Sequence, residues 1–344
     1  MSKRVLITLL HNTRNSGLAA YARIYSHCSS SFSEFYLREI LSISSQWALL
    51  FFFRFYIRKI DNILLEKVRG VDLVHICDNP VYSIFILERL ESWGIETIYT
   101  LHDIIPHDER SLKRRLKSFL ISLITRITLH KIKHMKHVKL HLHRGCRALD
   151  SLNPKIHPHP LYHQFKFIAK EHKINEYSIG FFGRLDYYKG IDIFVDILMH
   201  LEQYDFGFKL NVYIVGSGQF KIINNFKRLN VIILNEYLLD ERFDSYLANV
   251  DLIIMPYRSY TQSGILMKAI SYDIPVIAHR KPEIEDFIIS DYNGVLLSKL
   301  DVDIWCSEIL KILNSSTKRR ELSMNNNLFK QKWSPNEIAS YLYN

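Results

Sequence analysis

Two cations stand close together in the stretch IGFFGRLDYYKG, residues 179–190. A short apolar strand runs to Gly183, Arg184 follows it, and Lys189 and Gly190 open an amphipathic helix. A helix N-terminus offers free N–H groups and a partial positive charge, a guanidinium can contact two phosphate oxygens, and an ammonium adds a point charge. The pattern predicts a diphosphate site, although two solvated surface cations would explain this stretch alone equally well.

A second candidate for phosphate binding is TQSG, residues 261–264. Ser263 is placed to cap a helix that starts at Gly264, which would leave the first N–H groups of that helix open to an anion. An ordinary helix cap is the alternative. Gly216 and Gly218 follow another strand, but the third glycine of a dinucleotide fingerprint is missing, and the loop after the first strand lacks that fingerprint too. The sequence therefore argues against a nicotinamide enzyme.

The first half of the chain contributes Gly17 and His102. Gly17 ends the polar loop that follows the apolar run VLITLL (5–10), and it would let the backbone approach a ligand. His102 lies near the end of the strand pattern IETIYTLHDIIP (95–106), where parallel sheets bind their ligands. A plain strand-to-helix turn and a satisfied core histidine are the alternatives at these two positions.

Apolar strands alternate with amphipathic helices through most of the chain, which predicts an α/β fold with two doubly wound sheets. In the first half, strands at 5–10, 71–77 and 95–106 accompany a helical pattern at 34–68 and a helix at 82–91. In the second half the predicted strands are 178–183, 209–216, 231–234, 251–257 and 275–278, and the predicted helices are 190–201, 218–228, 240–249, 264–272 and 283–290. The proline-rich stretch 153–165 marks the boundary.

Length and composition agree with two domains and an acidic partner. The chain has 344 residues, 48% of them hydrophobic, and a formal net charge of +10. Four scattered cysteines, Cys28, Cys77, Cys146 and Cys306, favour a reducing cytoplasm over a disulfide framework. No signal peptide is expected, and the most apolar runs are interrupted by arginine well before the roughly 20 residues of a membrane span.

Residues 110–147 contain twelve lysines and arginines and no acid. Apolar residues are interleaved with them, as in a basic amphipathic helix at an anionic membrane surface; an ordinary solvated face is the alternative. His130, His134, His137 and His141 recur in this stretch. We predict no metal site, because HVKLHLH (137–143) alternates as a strand does and no carboxylates accompany the histidines.

Together these motifs resemble the GT-B glycosyltransferases, specifically the retaining family 4 group of nucleotide-sugar enzymes. The resemblance extends over most of the chain and is best from Ile179 to Leu297. GRLDYYKG is similar to the family's GR…KG diphosphate segment, IVGSGQF to its strand-and-glycine turn, and residues 251–278 to its donor-sugar and phosphate loop. TLHDIIP resembles its T-x-H loop, and KIHPHPLYHQF its interdomain stretch.

The family resemblance implies two Rossmann-like domains facing a cleft. The expected domains are an acceptor-side, membrane-facing domain (1–160), a nucleotide-sugar domain (161–328) and a final helix that crosses back to the first domain (329–344). It makes His102 an active-site residue, together with Arg184 and Lys189 as ligands of the donor diphosphate. The full set of donor-binding residues expected from it is Gly17, Gly183, Arg184, Lys189, Gly216, Thr261, Gln262, Ser263 and Gly264.

The chain departs from the family at its paired glutamates. The second would fall on Lys268, and the first on Tyr260 or Thr261, depending on the anchor used. The contacts to the sugar hydroxyls and the ribose must therefore differ, and Thr261 and Gln262 could supply some of them.

The implied activity is retaining transfer of a hexose from a UDP- or GDP-linked sugar to a saccharide, free or carried on a polyprenyl diphosphate. Assembly of a bacterial-type surface polysaccharide at the inner face of the cell membrane is the expected setting. No cofactor, metal or nucleic acid is expected. The rival hypothesis is a non-enzymatic protein that binds anionic membrane or nucleic acid through the basic stretch.

Overall fold

The chain folds as two compact units, one formed by Met1–Pro160 with Pro335–Asn344 and the other by Leu161–Ser334. The computed structural model describes residues 4–9, 21–22, 24–25, 32–36, 61–77, 80–102, 112–143, 154–157, 159–162, 175–220, 226–238, 240–260 and 263–343. The final segment predicted at 329–344 differs from this division, because residue 329 lies inside a helix of the second unit and only the last ten residues belong to the first unit.

The first unit contains a six-stranded parallel sheet with the order β2-β1-β3-β4-β5-β6. Its strands are β1 (Val5–Leu9), β2 (Phe32–Tyr36), β3 (Leu73–Ile76), β4 (Thr97–Leu101), β5 (Val138–His143) and β6 (Lys155–His157). Its helices include α1 (Pro80–Ser92), α2 (Leu112–Ile132) and, from the end of the chain, α8 (Pro335–Tyr343). Residues 61–68 are also helical.

The two faces of this sheet differ in chemistry. Val74 and Ile76 of β3 belong to the apolar core that also includes side chains of α1 and α2. His75, between them in sequence, projects to the other face because side chains alternate along a strand. There its Nδ1 and Nε2 lie 2.7 Å from the Tyr343 hydroxyl and 2.7 Å from Thr100 Oγ1. The last helix is thus anchored on a polar, histidine-bearing face of the first sheet.

The second unit contains another six-stranded parallel sheet, with the order β12-β11-β10-β7-β8-β9. Its strands are β7 (Glu176–Phe182), β8 (Lys209–Gly216), β9 (Leu229–Asn235), β10 (Leu252–Met255), β11 (Val276–His279) and β12 (Gly294–Leu297). Its helices include α3 (Ile191–Leu201), α4 (Asp240–Ala248), α5 (Gly264–Ser271), α6 (Val302–Leu313) and α7 (Ser316–Lys332). Two doubly wound sheets were predicted, and the fold confirms that class.

Two predictions for the first unit are correct only in part. Residues 61–68 of the predicted helical pattern are helical, and residues 37–60 lie outside the described part of the chain. The helical pattern at 34–68 begins too early, because Phe32–Tyr36 pairs in parallel with β1 and this tertiary pairing overrides the local pattern. The predicted boundary stretch 153–165 contains the division between the two units, after Pro160, but it also holds a strand that was not predicted, β6, which pairs with β5. The predicted helix at 82–91 is present as α1.

The helix predicted at 283–290 is absent, and residues 282–287 form turns instead. Pro282 directly precedes the predicted helix, and Asn293 hydrogen-bonds two backbone groups that a helix over 283–290 would use. Its Nδ2 donates to the Phe287 carbonyl at 2.8 Å, and its Oδ1 accepts from the Ile289 N–H at 2.8 Å. In the predicted helix 218–228, residues 221–225 lie outside the described part of the chain, and the remaining residues are not helical. The elements β12, α6 and α7 were not predicted.

Candidate functional site

The loops that follow β7, β8 and β10 lie at one edge of the second sheet. These three strands are neighbours and run parallel, so their carboxyl ends meet at that edge. The edge of a parallel sheet at its strands' carboxyl ends is where α/β folds bind ligands. The loop after β7 carries Arg184 and Lys189, the loop after β8 begins at Gly216, and the loop after β10 leads to Ser263.

Glycine is required where the first two loops touch. Gly183 has φ 106° and its N–H donates to the Val215 carbonyl at 2.9 Å. Gly216 has φ 151°, and a Cβ there would lie 1.6 Å from the Gly183 carbonyl oxygen. A Cβ on Gly218 would lie 2.4 Å from the Leu185 carbonyl oxygen. These contacts hold the loop backbones against each other, and any larger residue would force them apart.

The two predicted cations lie in different surroundings. Arg184 is exposed and makes no hydrogen bond or ion pair with the described residues. The Lys189 ammonium lies 3.9 Å from the centroid of the Tyr257 ring and 5.5 Å from that of Tyr188. A cation over an aromatic face is held by the ring quadrupole while part of its shell of donors stays available. Lys189 is therefore positioned by the loop after β10.

Tyr257 is the fixed centre of this arrangement. Its side chain is fully buried, its hydroxyl donates to the Phe182 carbonyl at 3.2 Å, and its own carbonyl lies 2.8 Å from His279 Nδ1. Burial raises the pKa of Tyr257 above its ordinary value, which keeps the phenol a neutral donor. Tyr257, whose ring supports Lys189, is thus tied to the end of β7 by its hydroxyl and to the end of β11 by its backbone carbonyl.

The start of α5 completes the arrangement. Ser263 is buried, and its Oγ accepts a hydrogen bond of 3.3 Å from the Leu266 N–H, as the sequence predicted for a helix cap. The Ser263 carbonyl accepts from the Met267 N–H. The N–H groups of Gly264 and Ile265 remain without a protein acceptor among the described residues. A Cβ on Gly183 would lie 3.4 Å from Ile265 Cγ1, so this helix tip adjoins the end of β7.

Lys268 and Tyr260 stand where the resemblance expects glutamates and are internally satisfied. Thr261, the alternative to Tyr260, lies outside the described residues. Lys268 is buried in α5 and forms an ion pair with Asp244 of α4, whose other oxygen accepts from the Tyr272 hydroxyl at 3.0 Å. Tyr260 is buried, and its hydroxyl donates to the Met255 carbonyl at 3.0 Å. Both side chains face the interior of the unit and stabilise it.

Sequence reasoning missed three residues of this edge, namely Arg258, Ser259 and Glu283. Arg258 contacts the turn that carries Lys189. Ser259 Oγ and Glu283 Oε2 are buried and have no hydrogen-bond partner among the described residues. A buried acceptor without a partner is costly and marks a place where a hydroxyl or water is expected to bind. The loop HRKPEIED (279–286) was the available signal for Glu283, because it follows a strand of the same sheet.

His102 belongs to the first unit, directly after β4, as predicted. Its ring is half-buried and lies edge-on to Tyr21, with the ring centroids 4.4 Å apart. His159 approaches the same tyrosine at 5.1 Å. Burial lowers the pKa of His159 to about 3, a hydrogen bond to the Pro160 carbonyl opposes this shift, and the nearby His102 adds to it. This end of the first sheet therefore holds both imidazoles edge-on against the Tyr21 ring.

Several predicted features lie outside the described residues. These are Gly17, Thr261 and Gln262, together with parts of the basic stretch 110–147. Within the described residues there is no group of three or more histidine, cysteine, aspartate or glutamate side chains that could hold a metal ion. No described helix is long and apolar enough to cross a membrane.

The arrangement defines a fold class with two Rossmann-like units, in which glycine-bearing loops lie at the strand ends of the second unit. Structures of this class include sucrose-phosphate synthase of Thermosynechococcus elongatus, with TM-score 0.73, 13% identity and 98% of each chain covered. Anabaena HepE in complex with UDP and glucose has TM-score 0.65, 14% identity and 99% of each chain covered. At these identities the likeness is one of fold, and the fold is that of the GT-B glycosyltransferases.

The sequence comparisons each cover less than half of the chain. Residues 176–315 match the family described as glycosyl transferases group 1. An uncharacterized glycosyltransferase of Methanocaldococcus jannaschii is 30% identical over 174 residues, which are 48% of this chain and 48% of that protein. The match thus spans about half the length of that relative. The family match lies within the second unit. The predicted resemblance to GT-B glycosyltransferases is confirmed, and the family 4 assignment stays a prediction.

Proposed function

We propose that the protein transfers a sugar from a nucleoside diphosphate sugar to a saccharide acceptor, with the donor diphosphate bound at the loops around Tyr257. The observation that carries this proposal is the convergence of Lys189, the glycine turn at Gly183 and Gly216, and the start of α5 at one sheet edge. Lys189 offers positive charge, the start of α5 offers open N–H donors, and the glycines let the loop backbones between them lie close together. The HepE structures with UDP and with UDP-glucose support a UDP-linked donor, and a GDP-linked donor is the second choice to test.

Departure of the sugar builds negative charge on the leaving diphosphate. Arg184, Lys189 and the N–H groups at the start of α5 would stabilise that charge more strongly in the transition state than in the ground state. This electrostatic role needs no metal ion and no resident cofactor. We propose transfer with retention, in which the leaving phosphate helps to accept the proton of the acceptor hydroxyl, and an active-site role for His102 in contact with the substrates.

The sugar hydroxyls need partners other than the family's paired glutamates. Thr261 and Gln262 are proposed ligands from the loop after β10, and Gly17 is proposed to support the phosphates from the first unit. Ser259 Oγ and Glu283 Oε2 are buried acceptors whose lack of a partner among the described residues suits a polyhydroxylated ligand. A carboxylate that accepts from a sugar hydroxyl would recover the hydrogen bond that it now lacks.

Nucleotide binding by the full chain tests the donor site. UDP and GDP, each alone and as sugar conjugates, are titrated calorimetrically into the wild type and into an R184A/K189A double variant. The proposal expects loss of at least about 100-fold in affinity, because two charge-assisted phosphate contacts at about 1.5 kcal/mol or more each are removed. The matched control is K209A/R228A, which removes one lysine and one arginine near the amino ends of β8 and β9. Equal affinities for the two double variants would refute the site.

We further propose that the first unit places the enzyme at the inner face of the cell membrane, where the acceptor is carried on a polyprenyl diphosphate and a surface polysaccharide is assembled. The support comes from α2. Phe119, Leu123 and Ile127 lie four residues apart on this helix and are 64%, 46% and 48% exposed. Arg126 is exposed beside them. An exposed apolar stripe flanked by cations suits an anionic bilayer surface.

A vesicle experiment separates this setting from the alternatives. Wild type is expected to sediment with vesicles containing anionic lipid, and the F119S/L123S/I127S variant is expected to remain in solution. The control I304S/M324S removes exposed apolar side chains from the second unit instead. Sedimentation that depends on charge but not on the stripe would contradict insertion. Tight RNA binding with no nucleotide binding would favour the non-enzymatic rival.

A further inference from the structure

Arg258 follows β10 and contacts the turn that follows β7. Its Nη1 donates to the Tyr187 carbonyl at 2.8 Å, and its guanidinium lies over the Tyr187 ring at 3.7 Å. The Arg258 backbone N–H donates to the Tyr188 carbonyl at 2.9 Å. One residue therefore engages the two residues that immediately precede Lys189, through both its side chain and its main chain.

The same guanidinium forms a two-pronged ion pair with Asp192. Nη1 lies 2.7 Å from Oδ1 and Nη2 lies 2.8 Å from Oδ2. Asp192 stands in the first turn of α3, where a carboxylate is also favoured by the helix dipole. The side chains of the pair are 27% and 33% exposed, so solvent screens their charges only in part. Arg258 thus ties the loop after β10 to the helix that begins directly after Lys189.

Glycine packing fixes the other side of this turn. Gly190 has φ 69°, and a Cβ there would lie 2.1 Å from the Pro256 carbonyl oxygen. Pro256, Tyr257 and Arg258 therefore contact Gly190, Lys189 and the preceding turn in succession. The position of the Lys189 ammonium is set by this strip of three consecutive residues.

We infer that Arg258 is a positioning residue that holds Lys189 in place for the donor diphosphate. The inference rests on the function proposed above. Arg258 itself is charge-neutralised by Asp192 and directed to protein acceptors, so it acts through Lys189. Its contacts close the short helical turn Tyr187–Lys189 against the loop after β10 before any ligand binds, and preorganisation of this kind strengthens binding without a new ligand contact.

A double-mutant cycle tests this role in the full chain with UDP and GDP as probes. R258A is expected to weaken binding of the nucleotide that the wild type binds by about tenfold. K189A is expected to weaken it by at least as much. If Arg258 acts through Lys189, the double variant R258A/K189A binds no more weakly than K189A alone. R258K keeps the charge but loses the planar fork, and is expected to lie between wild type and R258A.

The matched control is R319A. Arg319 also lies over a tyrosine ring, Tyr177, at 4.3 Å, and donates to the Ile312 carbonyl at 3.0 Å, but near the amino end of β7. R258A and R319A are both expected to lower the melting temperature, because each removes an arginine that contacts a tyrosine ring and a backbone carbonyl. Only R258A is expected to weaken nucleotide binding. D192N provides a milder variant should R258A fold poorly, with an expected loss of about three- to tenfold.

The outcomes separate the two claims. Wild type that binds neither UDP nor GDP would overturn the proposed function and this inference with it. Wild type that binds, while R258A, R258K and D192N bind equally well, would overturn the Arg258 inference alone. Additive losses of R258A and K189A would also overturn it, because they would show that Arg258 acts independently of Lys189.

Discussion

Replacing Lys268 with glutamate is expected to destabilise the second unit strongly, although glutamate is the residue that the family pattern has at this position. Lys268 and Asp244 are only 8% and 2% exposed, so the ion pair lies in the interior of the unit. K268E would place two carboxylates side by side there. Breaking a buried pair typically costs about 3–5 kcal/mol, and charge reversal is expected to cost at least that much. This is a large part of the roughly 5–15 kcal/mol that stabilises a domain.

The assay must report on the second unit alone, because two units need not unfold together. The chain has four tryptophans, and Trp305 and Trp333 belong to the second unit. Urea unfolding followed by fluorescence in a W47F/W93F background therefore isolates that unit. The charge-swapped variant K268E/D244K should recover at least half of the stability that K268E loses, since it restores the attraction with reversed signs. A K268E unfolding midpoint equal to that of the parent would refute this reading of the buried pair.

Three further predictions concern the other described features. G216A should lose most nucleotide binding and several kcal/mol of stability, because its Cβ would overlap the Gly183 carbonyl. G207A is the control in the same unfolding assay, because Gly207 also has a positive φ but no atom lies within 4 Å of the added Cβ, so it measures the cost of the strained backbone alone. Burial lowers the pKa values of His141 and His159 to about 3 in the folded protein, whereas an unfolded histidine has a pKa of about 6.5, so between these pH values the unfolded chain binds more protons. Urea titrations of the first unit should therefore show its stability falling from pH 6.5 toward pH 4, by up to about 1.4 kcal/mol per pH unit for each histidine. H141F or H159F should flatten that slope. E283Q should leave UDP affinity unchanged and lower turnover of the sugar donor, and equal turnover would exclude Glu283 from sugar binding.

The strands of both units could be predicted where they are buried on both faces. Runs such as VLITLL, VDLVHIC and IGFF are continuous and apolar, as central parallel strands are, and each lies in a sheet. β2 could not be recognised in the same way because FSEFY mixes polar and apolar residues and continues into aromatic sequence with a helical pattern. Its strand state comes from pairing with β1, a contact between distant segments.

The candidate site likewise contains some residues that local sequence predicts and others that only distant contacts bring into place. Glycines at strand ends and a serine before a helix are local signals, and the structure places Gly183, Gly216 and Ser263 at one sheet edge. Arg258 gave no such signal. Its partner Asp192 is 66 residues away in sequence, and the two meet only because β10 lies beside β7 in the sheet order. Topology, which no short window of sequence contains, decided that contact.

Lys268 and, on one of the two alignments, Tyr260 stand where the family has glutamates, and their contacts narrow the search for the residues that select the donor sugar. Lys268 could contact a ligand only by leaving Asp244 as a buried, unpaired charge, and Tyr260 only by giving up its bond to the Met255 carbonyl. Both changes are costly, so neither side chain is expected to replace a glutamate as a ligand. The residues proposed to bind the diphosphate, by contrast, match the family pattern. Differences in sugar recognition should therefore arise from the neighbouring loops, where Ser259 and Glu283 carry buried acceptors that have no hydrogen-bond partner among the described residues.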